Sequence, residues 1–313
     1  MGDWRTRATY WTYRGLGEAM GRLPEPAAFA VAKAVASVMA RPSGPGSTLA
    51  MSERHMRRVL TSELEEVGAA GVSVDPALVR RLSRRTFLEY ARYWADGARL
   101  PFVSETAMRS QMMVVQGDEH LRAAQREGRG IVMALPHVGS WEWGGAWLAS
   151  EGLPMTAVVE TLEPPELFDW FAAQRAAMGL TVVPLGEGST QPLFRAIKAG
   201  EVAGLVSDRD LVGNGVEVEF FGEKTTLPGG AATLALRTGA ALLPVVVYSG
   251  PGNWHTGVVH PPLDTTRQGS LRADVVRLTQ ELAVIFERFI RAHPEQWHLY
   301  QPNWPSDREA GAT

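Results

Sequence analysis

Two residues capable of acid–base chemistry stand at the end of one apolar run. IVMALP, residues 131–136, leads into His137, and Glu142 follows five positions on, after Gly139 and Ser140. Imidazole is the side chain whose ordinary pKa lets it accept and return a proton near neutrality. A carboxylate on its second ring nitrogen would fix the tautomer and raise the basicity, so the pair suits removal of a proton from a hydroxyl. Each residue also has a plain structural reading. Gly139 allows a tight turn, Ser140 stands where a helix N-cap is wanted, and Glu142 falls in the first helical turn, where a carboxylate suits the positive end of the dipole.

The rest of the sequence narrows the chemistry. Its 313 residues contain no cysteine, which removes disulfides, thiolate nucleophiles and cysteine-held zinc, and fits a reducing compartment. The seven histidines are scattered singly and H-E-x-x-H is absent, so no metal site is expected. No G-x-S-x-G elbow offers a serine nucleophile. A base that activates the acceptor directly, without a covalent intermediate, is the economical reading. GEGSTQ (186–191) lacks the third glycine of a dinucleotide fingerprint, and no P-loop occurs, so no cofactor is expected.

Other polar residues also follow apolar runs. Glu160 closes MTAVVE (155–160), and Asp208 closes VAGLVSD (202–208). In SDRDL (207–211), Asp208 could reach a cleft shared with His137, and Arg209 could pair with either aspartate; a solvated turn is the alternative. In VEVEFFGEKTTLPGGAATLALRTGA (216–240), Phe220 and Phe221 form an apolar plug before a turn at Gly222. Gly229 and Gly230 precede a helix whose free amides could receive an anion, with Arg237 two turns on; an ordinary loop and helix start is the alternative.

These residues need a scaffold. The short, β-branched runs 131–136, 155–160, 180–185, 202–208 and 242–249 alternate with helical segments at 142–150, 165–178, 191–199 and 230–239. That alternation predicts an α/β fold, a mainly parallel central sheet flanked by helices, with ligands at the carboxyl ends of the strands. Upstream the pattern is helical. LVRRLSRRTFLEYARYWADGARLP (78–101) puts Phe87, Tyr90, Ala91 and Trp94 on one face and stops at Pro101.

The net charge of −3 and pI near 6.2 give no sign of nucleic acid. The charge is uneven, however: residues 1–60 hold nine Lys/Arg against four Asp/Glu, and the remainder 22 against 30. The basic end is also apolar in LPEPAAFAVAKAVASVMA (23–40), interrupted by Pro24, Pro26 and Lys33. This predicts either a core-packing helix or one lying on an anionic bilayer. The expected organisation is an N-terminal helical membrane-docking segment at 1–50, a catalytic α/β domain at 51–305 and a loose tail at 306–313.

HVGSWE, VSDRDL, EFFGEKTTLPGGAATLALRTGAALLPV and the closing EQWHLYQPNW together resemble the lysophospholipid acyltransferase superfamily, in the branch of the late lipid A acyltransferases. Within that branch the chain is most similar to the phosphatidylinositol mannoside acyltransferases of actinobacterial envelopes. The resemblance implies transfer of a palmitoyl-type chain from acyl-CoA, as co-substrate, to the mannose 6-position of a mannosylated phosphatidylinositol. It places the protein peripherally on the anionic cytoplasmic face of the cell membrane. It implies His137 as the base, Glu142 as the acid of the H-x4-[DE] motif and Asp208 as a second acid, one carbon shorter than the glutamate expected there. Glu160 and Arg175 would line the cleft, and Asn214 and Arg237 the donor side. A long acyl chain also calls for an apolar tunnel, which Trp, Phe and Leu could line. Other acceptors (a lysophospholipid or lipid A precursor), a thioesterase and a lipid carrier are the alternatives.

Overall fold

The computed structural model describes residues 4–309 apart from 42, 43, 45, 46, 70, 162 and 187, and side chains from residue 10 to residue 308. The nine strands among the described residues are β1 (Met112–Gln116), β2 (Ile131–Leu135), β3 (Met155–Val159), β4 (Leu180–Pro184), β5 (Val202–Val206), β6 (Val216–Phe220), β7 (Glu223–Leu227), β8 (Ala241–Ser249) and β9 (His255–Val259). The α-helices are α1 (Trp4–Arg22), α2 (Glu25–Met39), α3 (Thr48–Glu66), α4 (Pro76–Arg99), α5 (Glu105–Gln111), α6 (Asp118–Glu127), α7 (Trp141–Ser150), α8 (Pro165–Ala176), α9 (Thr190–Lys198), α10 (Gly230–Thr238), α11 (Leu271–Ala292) and α12 (Pro305–Glu309).

Seven strands form one sheet in the order β1-β9-β8-β2-β5-β3-β4. The five apolar runs of the sequence are β2, β3, β4, β5 and β8, all mutually parallel. All five residues of β2 are buried, as expected of a strand covered on both faces. β9 returns antiparallel from β8, and β1 pairs parallel with β9 at the sheet edge. β6 and β7 form a separate hairpin. Its turn falls at Phe221, which has φ 53°, and Gly222, so the apolar plug turns inward while the backbone reverses. The expectation of a mainly parallel sheet flanked by helices holds.

Two apolar layers cover the sheet. Met108 of α5, Leu121 of α6 and Trp143 of α7 pack on one face. Leu193 of α9, Leu234 of α10 and Phe286 of α11 pack on the other, joined by Trp297 and Trp304. A third cluster joins α2, α3 and α4 through Ala32, Ala36, Leu49, Phe87 and Ala91. α4 starts where Asp75 accepts the Ala77 N–H at 2.8 Å and ends at the residue pair preceding Pro101.

α2 carries the basic, apolar end and buries one stripe of it. Ala28, Ala32 and Ala36, four residues apart, are buried, while Val31, Val35, Val38 and Met39 stay exposed. The helix therefore packs through small residues and leaves a larger apolar face uncovered. Among the described residues no helix is long and apolar enough to cross a membrane. The tail differs from the expectation. Residues 305–309 form α12, and Asp307 is buried, accepting the N–H groups of Asn303 and Trp304 and bonding to Arg58 and His55. That network anchors the segment; residues 310–313 lie outside those described.

Candidate active site

β2 and β5 are neighbours, paired in register with Leu135 opposite Val206. Two residues beyond each partner lie His137 and Asp208, so the parallel register alone brings the histidine and this acid to one point. Asp208 Oδ1 accepts from His137 Nδ1 at 2.5 Å, and Oδ2 accepts the His137 main-chain N–H at 2.9 Å and the Trp297 Nε1–H at 2.8 Å. Asn303 donates to the Asp208 carbonyl at 3.1 Å. Asp208 is fully buried, which works against its charge, yet the adjacent imidazole and these donors hold its carboxyl below the usual range. Because a carboxylate accepts at Nδ1, that nitrogen carries the proton and Nε2 keeps its lone pair. The His137 side chain is 31% exposed, and among the described residues Nε2 has no partner. The ring thus opens onto solvent at Nε2 with its other nitrogen clamped in the interior.

The loop after His137 is fixed from two sides. The Gly139 N–H bonds to the Gln296 carbonyl, the His298 N–H to the His137 carbonyl at 2.7 Å, and the Ser140 N–H to the Val247 carbonyl. Gly139 has φ +61°, and a Cβ there would stand 2.0 Å from the Val247 oxygen. Only glycine fits. Ser140 occupies the N-cap position of α7 as expected, but its hydroxyl makes no capping bond. The first amides of α7 therefore open the helix without that side-chain acceptor.

Glu142 does not meet His137, which corrects the reading of these two as the pair. It is buried in α7 and bonded to Arg175, whose Nε donates to Oε1 at 2.9 Å and whose Nη2 donates to the same oxygen. Gly97 of α4 admits this carboxylate: a Cβ there would lie 2.8 Å from Oε2. Burial opposes the charge of Arg175, but Glu142 and the Tyr93 hydroxyl outweigh it and keep the guanidinium charged. Tyr93 itself is pushed up by burial and by Glu142. The acid of the H-x4-E spacing thus sets Arg175 near the site and ties α7 to α8.

Of the other expected residues, Glu160 follows β3 with its side chain exposed and faces Arg209 at 3.8 Å, so Arg209 pairs with Glu160 rather than with either aspartate. Asp210 instead organises the following loop, accepting the N–H groups of Val212, Gly213 and Gly215 and the Thr226 hydroxyl. Asn214 is exposed in that loop, at the same end of the sheet as His137. Arg237 is not brought to the site. It is exposed in the last turn of α10, and Arg129, just before β2 begins, donates to the nearby Gly239 carbonyl. That is the amino end of β2, and His137 is beyond the carboxyl end. α10 runs back along the sheet, so a residue two turns on is carried away from the strand ends.

The sequence reading missed His298, Trp297 and Asn303. Both ring nitrogens of His298 are screened from solvent and unpartnered. Burial lowers its pKa to about 3, so it is a neutral ring. Its ring lies 5.4 Å from that of Tyr90 and 5.5 Å from that of Tyr93. The signal available was three polar donors set among apolar residues in QWHLYQPNW. Among the described residues no group of three or more His, Cys, Asp or Glu could hold a metal ion. The apolar cavity beneath α7, between Met133, Leu135, Trp141, Gly145, Met155 and Val247, holds about 30 Å³, room for a methylene group rather than an acyl chain. Trp143, Trp297 and Trp304 are fully buried in the core instead of lining a tunnel.

The sequence profile of the bacterial lipid A biosynthesis acyltransferases matches residues 4–306. A phosphatidylinositol mannoside acyltransferase of Mycobacterium tuberculosis (strain H37Rv) is 38% identical over 307 residues, covering 96% of this chain and 90% of its own. A protein of the same name from Mycolicibacterium smegmatis is 37% identical over 288 residues, covering 91% and 88%. A lipid A biosynthesis acyltransferase of Haemophilus influenzae is 26% identical over 204 residues, covering 62% and 61%. With its His137–Asp208 pair at the carboxyl ends of adjacent strands, the chain belongs to the bacterial lipid A biosynthesis acyltransferase family.

Proposed function

We propose that the protein transfers a palmitoyl-type chain from acyl-CoA to the 6-hydroxyl of a mannose in a mannosylated phosphatidylinositol. The observation that carries this is His137, clamped by buried Asp208 at Nδ1 and open at Nε2. The thioester is already activated, so the reaction needs a base, an alignment surface and a donor for the developing oxyanion. Nε2 takes the proton from the mannose hydroxyl as its oxygen adds to the thioester carbonyl. The tetrahedral intermediate collapses with loss of coenzyme A thiolate, which recovers that proton from the imidazolium. The O-acyl ester forms, the C–S bond breaks, and no covalent enzyme intermediate is involved. The opening amides of α7, four residues from the base, are the donors available for the oxyanion. Glu160, Arg209 and Arg175 border the acceptor, and Asn214 the donor side.

The names of the mycobacterial relatives support the mannoside acceptor. The family description and the Haemophilus relative support a second reading, a lipid A type precursor. Docking falls to α2: its exposed valines, with Arg22 and Lys33 at the helix and its approach, suit the anionic cytoplasmic face of a membrane, to which the protein binds peripherally. Purified protein incubated with palmitoyl-CoA and a panel of mannosylated phosphatidylinositol, lysophospholipid and lipid A precursor, read by mass spectrometry, tests the assignment. An acylated mannoside is expected. Acylation of another lipid alone refutes the acceptor, and coenzyme A release indifferent to every acceptor indicates a thioesterase.

A further inference from the structure

We propose that Trp94, oriented by Tyr90, is the platform on which a sugar ring of the acceptor lies while its hydroxyl is presented to His137. This rests on the glycolipid reading above and specifies the surface that would recognise the glycan. Tyr90, Tyr93 and Trp94 lie three and four residues apart, on one face of α4. The Trp94 ring meets Tyr90 at 6.0 Å, Tyr93 at 5.8 Å and Phe171 of α8 at 6.0 Å, all edge-on. A ring held by three aromatic neighbours has little freedom, yet 40% of Trp94 is exposed. Trp143, Trp297 and Trp304 are fully buried by contrast.

The position relates to the chemistry. Tyr90 and Tyr93 both pack on the ring of His298, whose main-chain N–H holds His137. The bare indole is thus two side-chain contacts from the base-bearing loop. The charge of Glu160 reaches Tyr90, and Glu160 is matched only loosely, at 3.8 Å, by Arg209. A fixed, partly bare apolar ring, whose neighbour Tyr90 feels the charge of a loosely paired carboxylate, is the complement of a pyranose, which offers an apolar C–H face and a rim of hydroxyls. An acyl chain needs no fixed ring, and covering these charges with hydrocarbon would cost desolvation without return. A rigid amphipathic ring also binds with little loss of side-chain entropy.

The test is steady-state kinetics with detergent-dispersed mannosylated phosphatidylinositol as the varied substrate at saturating palmitoyl-CoA. Trp94→Ala is expected to raise the acceptor KM roughly tenfold, about 1.4 kcal/mol, and Trp94→Phe to recover most of it. The kcat is expected to stay within about twofold, because the platform aligns the ground state and transition state alike. Partition onto anionic vesicles is expected to be unchanged. An unaltered KM overturns the proposal, as does a KM rise matched by an equal loss of vesicle binding, which would make Trp94 a bilayer contact. If Trp94→Ala does not fold, fluorescence titration of wild type and Trp94→Phe with a soluble mannosyl-inositol replaces it. The platform requires a saturable change that Trp94→Phe lacks. Wild type that acylates lipids but no glycolipid removes the underlying reading, whatever the variants do.

Discussion

Replacing Asp208 by asparagine tests the site by a rearrangement of protons rather than by loss of contacts. Asp208 accepts three hydrogen bonds on two oxygens: Nδ1–H of His137 on one, and the His137 and Trp297 N–H groups on the other. An amide of the same shape has one acceptor and one donor end. If its oxygen faces Nδ1, its NH2 group confronts two buried donors, and leaving each unpaired costs about 1–3 kcal/mol, so roughly 2–6 kcal/mol together. If it flips, both donors are kept, and the NH2 group donates to Nδ1 instead. The flipped state wins by several kcal/mol, and it drives the imidazole proton to Nε2. The base then presents a hydrogen where it must present a lone pair. Asp208→Asn is therefore expected to remain folded, with little change in melting temperature, while kcat for acyl transfer falls roughly 10²–10⁴-fold, the worth of a well-placed base. Transfer rates would be read alongside the ¹⁵N shifts of the His137 ring, which report the tautomer. An Asp208→Asn protein with kcat within tenfold of wild type, or one inactive with the proton still on Nδ1, refutes the reasoning.

Three further outcomes follow from other parts of the molecule. Gly139→Ala places a Cβ 2.0 Å from the Val247 oxygen at φ +61°, so it is expected to destabilise by about 3 kcal/mol or more and to cut activity in proportion to the lost fold, as denaturant titration with parallel assays would show. His298 carries a folded pKa of about 3 against an ordinary 6.5, so the unfolded chain takes up a proton there first as the pH falls. Its contribution to stability is full above 6.5 and is lost progressively from 6.5 towards 3; His298→Phe should flatten the stability profile across that window, and an unchanged slope would contradict the burial argument. Val35→Glu, on the exposed face of α2, is expected to weaken binding to anionic vesicles roughly tenfold while leaving the melting temperature within about 1 °C, as sedimentation with vesicles and a thermal scan would show.

Much of the fold is legible because the central strands are covered on both faces. β2, β3, β5 and β8 read as apolar runs ended by a polar residue, and those polar residues mark the carboxyl end of the sheet. Other strands carry weaker patterns. β1 is an edge strand with Met113 and Val115 exposed, β9 holds a glycine, and in the hairpin β6 alternates apolar with charged residues while β7 is polar up to Leu227. Which acid serves His137 is not a local property. Glu142 is nearer in sequence, but the pairing of β2 with β5 sets Asp208 opposite, and no spacing within either segment states that pairing. Arg237 misleads for the converse reason. Its helix begins after a Gly-Gly pair suited to an anion, and two turns of helix then carry it along the sheet and away. Trp297, His298 and Asn303 reach the site from the segment after α11, which carries no strand or helix periodicity and is anchored by the buried network around Asp307.

The most direct measurement is to follow coenzyme A release and acylated glycolipid together for wild type and His137→Gln, with palmitoyl-CoA and mannosylated phosphatidylinositol. Glutamine keeps the polarity and about the size of the ring but cannot cycle a proton. Wild type should form ester and free coenzyme A in equal amounts, and the variant should lose both by about 10² or more while folding normally. A folded variant that esterifies the mannose at the wild-type rate would show that the proton goes elsewhere.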